Sequence, residues 1–297
     1  MSPTALERIA KKLAEIGSLP TIPTLLVPLL QHLCEPAEDV SIERVVKIIS
    51  QDPSLAAQCL RMVNSPLFAV RYPIDTVRGA VMGLGVNRVR QLAMACSLLK
   101  AFGPRSAAPA RALWAHSLAV AMVAQKFAHQ AGYPDPEQAY SAGLLHDLGI
   151  LVELTACPAE FESAAQAASR EHRALHLCER ERNGFDHGAI GAMLAQRWQL
   201  PGPYYHVLRY HHEVEQAPGN RCLVAIVSLS DLLCRLRSLG YGFEEIGFVD
   251  FAAEPAWTLA ADELPRMRDF DLARFTLELD AFITEVEQSV AALFELV

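Results

Sequence analysis

The chain has 297 residues, 52% of them hydrophobic, and a formal net charge of −8 at pH 7. This composition predicts a folded protein with a large apolar core and excludes a broadly basic surface for nucleic acid. Seven cysteines without a Cys-x-x-Cys pair form neither a recognisable disulfide framework nor a thiolate zinc site. Because no segment resembles a secretory signal or a transmembrane span, we expect a cytoplasmic protein without membrane contact.

Helix start signals recur along the chain. Ser2-Pro3 predicts the start of a helix that Gly17 can end. Asp52-Pro53 and Asp135-Pro136 predict two further starts, because each pairs an N-cap acceptor with a proline whose missing N–H costs nothing in the first turn. Alternating β-branched runs are scarce, so the sequence predicts an all-α fold. Apolar residues recur at helical spacing, as at Val45, Ile48, Ile49, Leu55, Cys59, Leu60 and Val63.

Two breaks in the helical pattern predict a two-lobe organisation. The segment 101–110 (AFGPRSAAPA) combines glycine, prolines and small residues, which is typical of a linker. The segment 238–247 (SLGYGFEEIG) interrupts the pattern again before a final helix at about 271–296. We therefore predict an N-terminal helix at 1–16, a first helical lobe at 17–100, a linker at 101–110, a second helical lobe at 111–237 and a C-terminal helical extension at 238–297.

Arginines in the first lobe raise the question of a binding surface. A helix-turn-helix is suggested by two short helices around Asp52, but the second carries only Arg61 as a cation and is mostly apolar, so we expect no nucleic-acid binding. Arg88 and Arg90, in GLGVNRVRQ, are weak candidates for contact with a phosphate or nucleotide. The competing interpretation is a solvated or ion-paired helix face.

Metal-binding side chains interrupt apolar helical stretches of the second lobe. The sharpest case is LLHDLG, where His146 and Asp147 follow an apolar run. An unpaired polar side chain in such a stretch would cost roughly 1–3 kcal/mol, so these groups need partners. Imidazole and carboxylate are metal ligands, and the two oxygens of an aspartate can bridge two ions. The candidate metal ligands are His116, His146, Asp147, His187, His211, His212 and Asp231.

The order His, His-Asp, His, His-His, Asp is similar to that of the HD superfamily of metal-dependent phosphohydrolases. The runs LPTIPTLLVPLLQHL, IISQDPSLAAQCLRMVNSPLF and TVRGAVMGLGVNRVRQLAM resemble the N-terminal half of one HD-related family, HDOD, so that the resemblance covers about 17–213. It implies one or two divalent metal ions (Fe, Mn, Zn or Ni), with a primary ligand set of His116, His146, Asp147 and Asp231, and a second set of His187, His211 and His212.

One feature of the second set argues against symmetric binding. Adjacent residues on a helix point about 100° apart, so we expect His211 and His212 to have different roles, one on metal and the other on substrate or solvent. The stretch EHRALHLCERER places His172 and His176 at i, i+4 spacing, but its charged neighbours predict an exposed helix face. Cys178 in the same stretch is predicted to be a buried thiol.

Three departures separate the chain from catalytic relatives of the HD-GYP type. Ile150 stands where those enzymes carry a lysine, VEQAPGN replaces their Gly-Tyr-Pro, and Ala112 stands where some carry a glutamate. A metal-free hydrogen-bond network inherited from an enzyme is the alternative to a metal centre. We expect a bacterial signal-transduction module that acts without catalysis, through a signalling protein partner, a ligand or a second copy of itself. The alternative is a phosphohydrolase that acts on a nucleotide or cyclic dinucleotide.

Overall fold

The computed structural model describes residues 27–29, 41–64, 68, 70–102, 108–241 and 249–295. Within these ranges every regular element is helical, which confirms the predicted all-α fold. The chain divides into two compact units, here named the N-terminal unit (Pro20–Arg105 with Asp271–Val297) and the central unit (Ser106–Phe270). No single described helix is both long and apolar enough to cross a membrane; one pair, bent by 120°, passes only when its two helices are counted together.

The N-terminal unit begins with helices that start at the predicted caps. The Asp52 carboxylate accepts hydrogen bonds from the backbone N–H groups of Ser54 (2.9 Å) and Leu55 (3.1 Å), and Pro53 occupies the first helical position. The apolar positions of these helices form the unit's core, since residues such as Val45 are fully buried. The helices are α1 (Ile42–Ser50), α2 (Pro53–Val63), α3 (Val77–Leu84) and α4 (Val86–Phe102).

The central unit is a helical bundle around a long first helix. This helix, α5 (Ala108–Ala131), packs against α6 (Pro136–Leu145) and α12 (Arg221–Leu236), and its Phe127 side chain is fully buried. The helices are α5 (Ala108–Ala131), α6 (Pro136–Leu145), α7 (Leu148–Ala156), α8 (Pro158–Glu171), α9 (Leu175–Asn183), α10 (His187–Arg197), α11 (Gly202–Tyr210), α12 (Arg221–Leu236) and α13 (Pro255–Glu263).

The boundaries between segments differ in detail from those expected. Helix α4 runs to Phe102 and α5 begins at Ala108, so helix enters both ends of the predicted linker at 101–110. Pro109 is tolerated there because a first-turn proline loses no hydrogen bond, and alanine favours helix. The predicted extension at 238–297 is divided between the two units. Its residues up to Phe270 belong to the central unit, whereas its last helix, α14 (Leu272–Glu295), belongs to the N-terminal unit. The predicted helix at 1–16 and residues 103–107 lie outside the described residues.

A close approach between α7 and α10 depends on one glycine. A Cβ atom added at Gly149 would lie 1.9 Å from the carbonyl oxygen of His187, a separation that no real side chain tolerates. The glycine therefore lets the first residue of α10 approach the start of α7, where Asp147 is the N-cap residue. This contact brings two predicted ligands from different helices together.

Candidate metal centre

The His-Asp dipeptide lies at a break between two buried helices. Helix α6 ends at Leu145 and α7 begins at Leu148, so that His146 and Asp147 form the turn between them. Both side chains are fully buried. Because they leave the helices at this turn, their side chains can face the same interior space as ligands from α5, α10 and α12.

The first group of candidate ligands consists of His116, His146 and Asp147. The Nε2 atom of His146 lies 3.0 Å from Asp147 Oδ2, and that of His116 lies 3.5 Å from the same oxygen. The Nδ1 atoms are held by carbonyl oxygens, of Leu239 at 2.6 Å for His116 and of Gly143 at 2.7 Å for His146. A carbonyl only accepts, so each Nδ1 donates, and both Nε2 atoms face Asp147 as the remaining ligand atoms.

The second group joins Asp147 to three further histidines. The Nε2 atoms of His187 and His211 each lie 3.4 Å from Asp147 Oδ1, and His187 Nε2 is 2.9 Å from His212 Nε2. One ligand atom from each of these four residues falls within 4.8 Å of all the others. The Nε2 atom of His211 faces Asp147 Oδ1, whereas that of His212 faces His187 Nε2, and the expected difference in their roles stays a prediction.

Asp147 links the two groups through its two oxygens. Oδ2 faces His116 and His146, whereas Oδ1 faces His187 and His211. This is the arrangement that a carboxylate bridging two ions requires.

The predicted ligand Asp231, on α12, stands beside the first group. Its Oδ1 lies 3.1 Å from His116 Nε2 and 4.0 Å from His146 Nε2. Both of its oxygens also accept hydrogen bonds from Arg235 one turn later, from Nε to Oδ1 at 3.0 Å and from Nη2 to Oδ2 at 2.8 Å. The Asp231 charge is thus already compensated by a guanidinium.

Buried atoms without hydrogen-bond partners fit a cation at these groups. Within the described residues, His116 Nε2, His146 Nε2, His211 Nε2 and Asp147 Oδ1 are buried and make no hydrogen bond. Leaving such atoms unsatisfied costs roughly 1–3 kcal/mol each. A divalent metal ion accepts nitrogen and oxygen ligands of this kind, so the residues present fit the ion that the HD resemblance implies.

Each ligand group contains one histidine whose pKa is raised. Burial opposes the charged form of His116, but the Asp147 and Asp231 carboxylates, 3.5 and 3.1 Å from its Nε2 atom, outweigh burial and raise its pKa to about 9. Burial likewise opposes the charge on His187, yet the Glu179 carboxylate raises its pKa to about 10. Burial, aided by neighbouring histidines, lowers the pKa of His212 well below its usual value and also lowers that of His211.

Glu179 is a site residue that the sequence did not single out. Its Oε2 accepts hydrogen bonds from both the backbone N–H (2.9 Å) and Nδ1 (2.7 Å) of His187, which orients that imidazole. Glu153 is also fully buried, and burial together with the charge of Glu179 raises its pKa well above the usual value. Glu179 lies in the charged run ERER, whose composition indicates an exposed face, so sequence alone gave no signal for it.

The predicted exposure of the neighbouring histidines is correct for one and wrong for the other. His172 is exposed, but His176 stacks on His212 with ring centroids 4.1 Å apart. Burial and the charge of His187 lower the pKa of His176 to about 3. Cys178 is buried, as predicted. The two histidines differ because His172 ends α8 in a left-handed conformation, whereas His176 lies within α9.

The candidate phosphate ligands Arg88 and Arg90 belong to the N-terminal unit, whereas all seven predicted metal ligands belong to the central unit. The Arg88 guanidinium lies over the ring of Phe68, 5.3 Å from its centroid. Arg90 is buried and donates a hydrogen bond to Asn87 Oδ1 at 3.0 Å. Both side chains thus make contacts within their own unit, and ligand binding by them stays a prediction.

Comparison with known proteins identifies the family. The family model described as the HDOD domain matches residues 19–214. The chain belongs to the HDOD family. The crystal structure of an HDOD domain protein of unknown function from Geobacter sulfurreducens is similar over 99% of this chain and 98% of that one, with 31% identity and a TM-score of 0.81. The predicted family and its fold are therefore confirmed.

Two further relatives of the HDOD chain are more distant. A protein proposed to be a phosphohydrolase from Shewanella amazonensis SB2B shares 23% identity over 96% of this chain and 98% of that one, with a TM-score of 0.69, which supports the fold. An uncharacterized protein of Treponema pallidum (strain Nichols) is 26% identical over 250 residues, 82% of this chain and 47% of that protein. The chain thus spans about half the length of this curated relative.

Proposed function

We propose that this HDOD protein is a signal-transduction module that acts by binding, with a metal centre in its central unit that has a structural or sensing role. The observation that carries the proposal is Ile150, which occupies the lysine position of catalytic HD-GYP relatives and is 1% exposed. An aliphatic side chain packed in the core supplies no cation to a phosphate or leaving group. The one guanidinium described beside the first ligand group, that of Arg235, is bound to Asp231.

The residues that would hold metal are those whose buried ligand atoms converge on Asp147. His116 and His146 would bind with Asp147 Oδ2, and His187, His211 and His212 with Oδ1. A bound divalent ion would act as a Lewis acid toward an oxygen ligand. The chain's own contribution is to fix four of these five imidazoles through their Nδ1 atoms. The partners are the carbonyl oxygens of Leu239, Gly143 and Val207 for His116, His146 and His211, and the Glu179 carboxylate for His187.

The partner in this proposal is another signalling protein or a second copy of this chain, and a nucleotide or cyclic dinucleotide is the candidate small ligand. A change at the metal centre would reach such a partner through the helices that carry the ligands, because these helices pack directly on one another. Catalysis is the competing function, and one observation favours it. A carboxylate with two oxygens facing two ligand groups is the arrangement that two-metal hydrolysis uses.

Metal content and turnover, measured on the same samples, separate these alternatives. The protein is purified without chelator or nickel affinity resin, its iron, manganese, zinc and nickel are quantified, and the Asp147→Ala variant is treated in parallel. We expect near-stoichiometric metal that the variant loses, and no hydrolysis of cyclic di-GMP or a nucleotide with added manganese or iron. Hydrolysis that the variant loses would make the protein an enzyme. Equal metal content in both would refute the metal centre.

A further inference from the structure

One tyrosine hydroxyl lies at the oxygen on which the first ligand group converges. Tyr241 Oη donates a hydrogen bond to Asp147 Oδ2 at 2.8 Å, and the tyrosine ring lies edge-on to that of His116, with centroids 4.7 Å apart. The same oxygen is 3.0 Å from His146 Nε2 and 3.5 Å from His116 Nε2. The phenol oxygen and two imidazole nitrogens thus surround a single carboxylate oxygen in the interior.

The backbone before Tyr241 is anchored to the same site. The Leu239 N–H donates to the Cys234 carbonyl at 2.9 Å, and the Leu239 carbonyl accepts from His116 Nδ1 at 2.6 Å. The tyrosine side chain is 7% exposed. One short segment after α12 therefore fixes a ligand imidazole and, two residues later, places a phenol against Asp147.

Both the charge and the number of ligand atoms of the first group allow a phenolate oxygen as a further ligand. His116, His146 and Asp147 offer three ligand atoms and one negative charge, whereas closed structural zinc sites have four ligands and a divalent ion carries two positive charges. Asp231, the other carboxylate nearby, already compensates the charge of Arg235. A phenolate oxygen from Tyr241 would add both a ligand and a negative charge.

We propose that Tyr241 is a direct ligand of a transition-metal ion held by His116, His146 and Asp147, with its hydroxyl proton released when the ion binds. This inference rests on the metal centre proposed above. It assigns to the chain an oxygen ligand from outside the predicted His and Asp set, located in the break at 238–247. The structural alternative is a phenol that only donates a hydrogen bond to the Asp147 carboxylate.

Ferric iron distinguishes these two roles, because a phenolate bound to ferric iron absorbs visible light through charge transfer from oxygen to metal. The full-length protein is loaded with ferric citrate, freed of excess iron by gel filtration, and examined for iron content, visible absorption and resonance Raman bands of the tyrosinate ring. The variants are Tyr241→Phe, Tyr133→Phe and Asp147→Ala. Tyr133 is the matched control, because its hydroxyl also donates a hydrogen bond at 2.8 Å, to the Gln138 amide oxygen.

We expect the parent and Tyr133→Phe to bind iron and show the band, and Tyr241→Phe to lose the band and bind iron at least about tenfold more weakly. If the parent binds iron without showing the visible band, and Asp147→Ala abolishes this iron binding, the metal centre stands but Tyr241 is not a ligand. This outcome does not depend on the folding of Tyr241→Phe. A band that persists in Tyr241→Phe also overturns it. Equal iron in the parent and Asp147→Ala refutes the metal centre itself.

Discussion

Metal binding to the central unit should release about two histidine protons at pH 7, in addition to the hydroxyl proton of Tyr241 proposed above. His116 and His187, with pKa values of about 9 and about 10, are both charged at pH 7 in the metal-free protein. Each must lose the proton on Nε2 to bind metal, at a cost of about 3 and about 4 kcal/mol respectively, from roughly 1.4 kcal/mol per pH unit. His211 and His212, whose pKa values are lowered, are already neutral and release none. One histidine proton therefore leaves each ligand group.

Titration calorimetry measures this number directly. Manganese chloride is titrated into metal-free protein at pH 7 in several buffers of different ionisation enthalpy, and the slope of the observed heat against that enthalpy gives the protons released. The apparent affinity should also rise about tenfold per pH unit for each released proton between pH 6 and 8. Saturation of both ligand groups without proton release, or with affinity independent of pH, would refute the protonation states deduced from the contacts.

A pair of matched variants assigns one of the two protons. Glu179→Gln removes the charge that raises the His187 pKa, so we expect the number of protons released at pH 7 to fall by about one. Glu181→Gln is the control, because Glu181 lies on the same helix but is exposed and pairs with Arg173. Proton release by Glu179→Gln equal to that of the parent would show that the Glu179 carboxylate is not the cause of the raised His187 pKa.

Three further changes should alter stability, each measured by urea denaturation of metal-free protein. Gly149→Ala should destabilise by about 3 kcal/mol or more because its Cβ meets the His187 carbonyl, whereas Gly202→Ala, with no atom within 4 Å of the added Cβ, should change stability by less than about 0.5 kcal/mol. Arg235→Ala should cost about 3 kcal/mol by leaving a buried carboxylate without its guanidinium. Because the folded pKa values of His116 and His187 exceed the unfolded value near 6.5, the stability they contribute is full below about pH 6.5 and should be lost as pH rises through about 9 and 10. Equal effects of the two glycine changes, no loss on Arg235→Ala, or flat stability from pH 7 to 10 would contradict the respective argument.

The sequence predicts those features that depend on local pattern. Asp52 caps its helix as expected from a short polar side chain before a proline, and the all-α fold follows from helical spacing of apolar residues. Predicted ligands such as His116, His146 and Asp231 could be recognised because each is a polar residue among apolar neighbours, whereas His211 and His212, in the polar stretch RYHHE, were indicated by the HD resemblance. The structure brings all seven predicted ligands into one interior region. A buried polar group is unfavourable without a hydrogen-bond or metal partner, so a polar residue in an apolar stretch of sequence indicates that such a partner is present.

The sequence does not predict features that depend on where a helix ends or on which of its faces is buried against a neighbouring helix. Tyr241 lies in a glycine-rich break, where no periodicity marks a buried side chain. Glu179 lies among charged residues, and only the packing of α9 beside α10 shows that this one carboxylate faces inward.

The two alternatives left open by the sequence, a metal centre and a metal-free polar network, can be two states of one site. Without metal, the carboxylates of Asp147, Asp231 and Glu179 face two charged histidines and the guanidinium of Arg235, so negative and positive charges balance in the interior. A divalent ion in the first group that displaces the protons of His116 and, as proposed, Tyr241 leaves this balance unchanged. The buried network therefore does not argue against metal, because the charges that hold it together without metal are the protons that an arriving ion would replace.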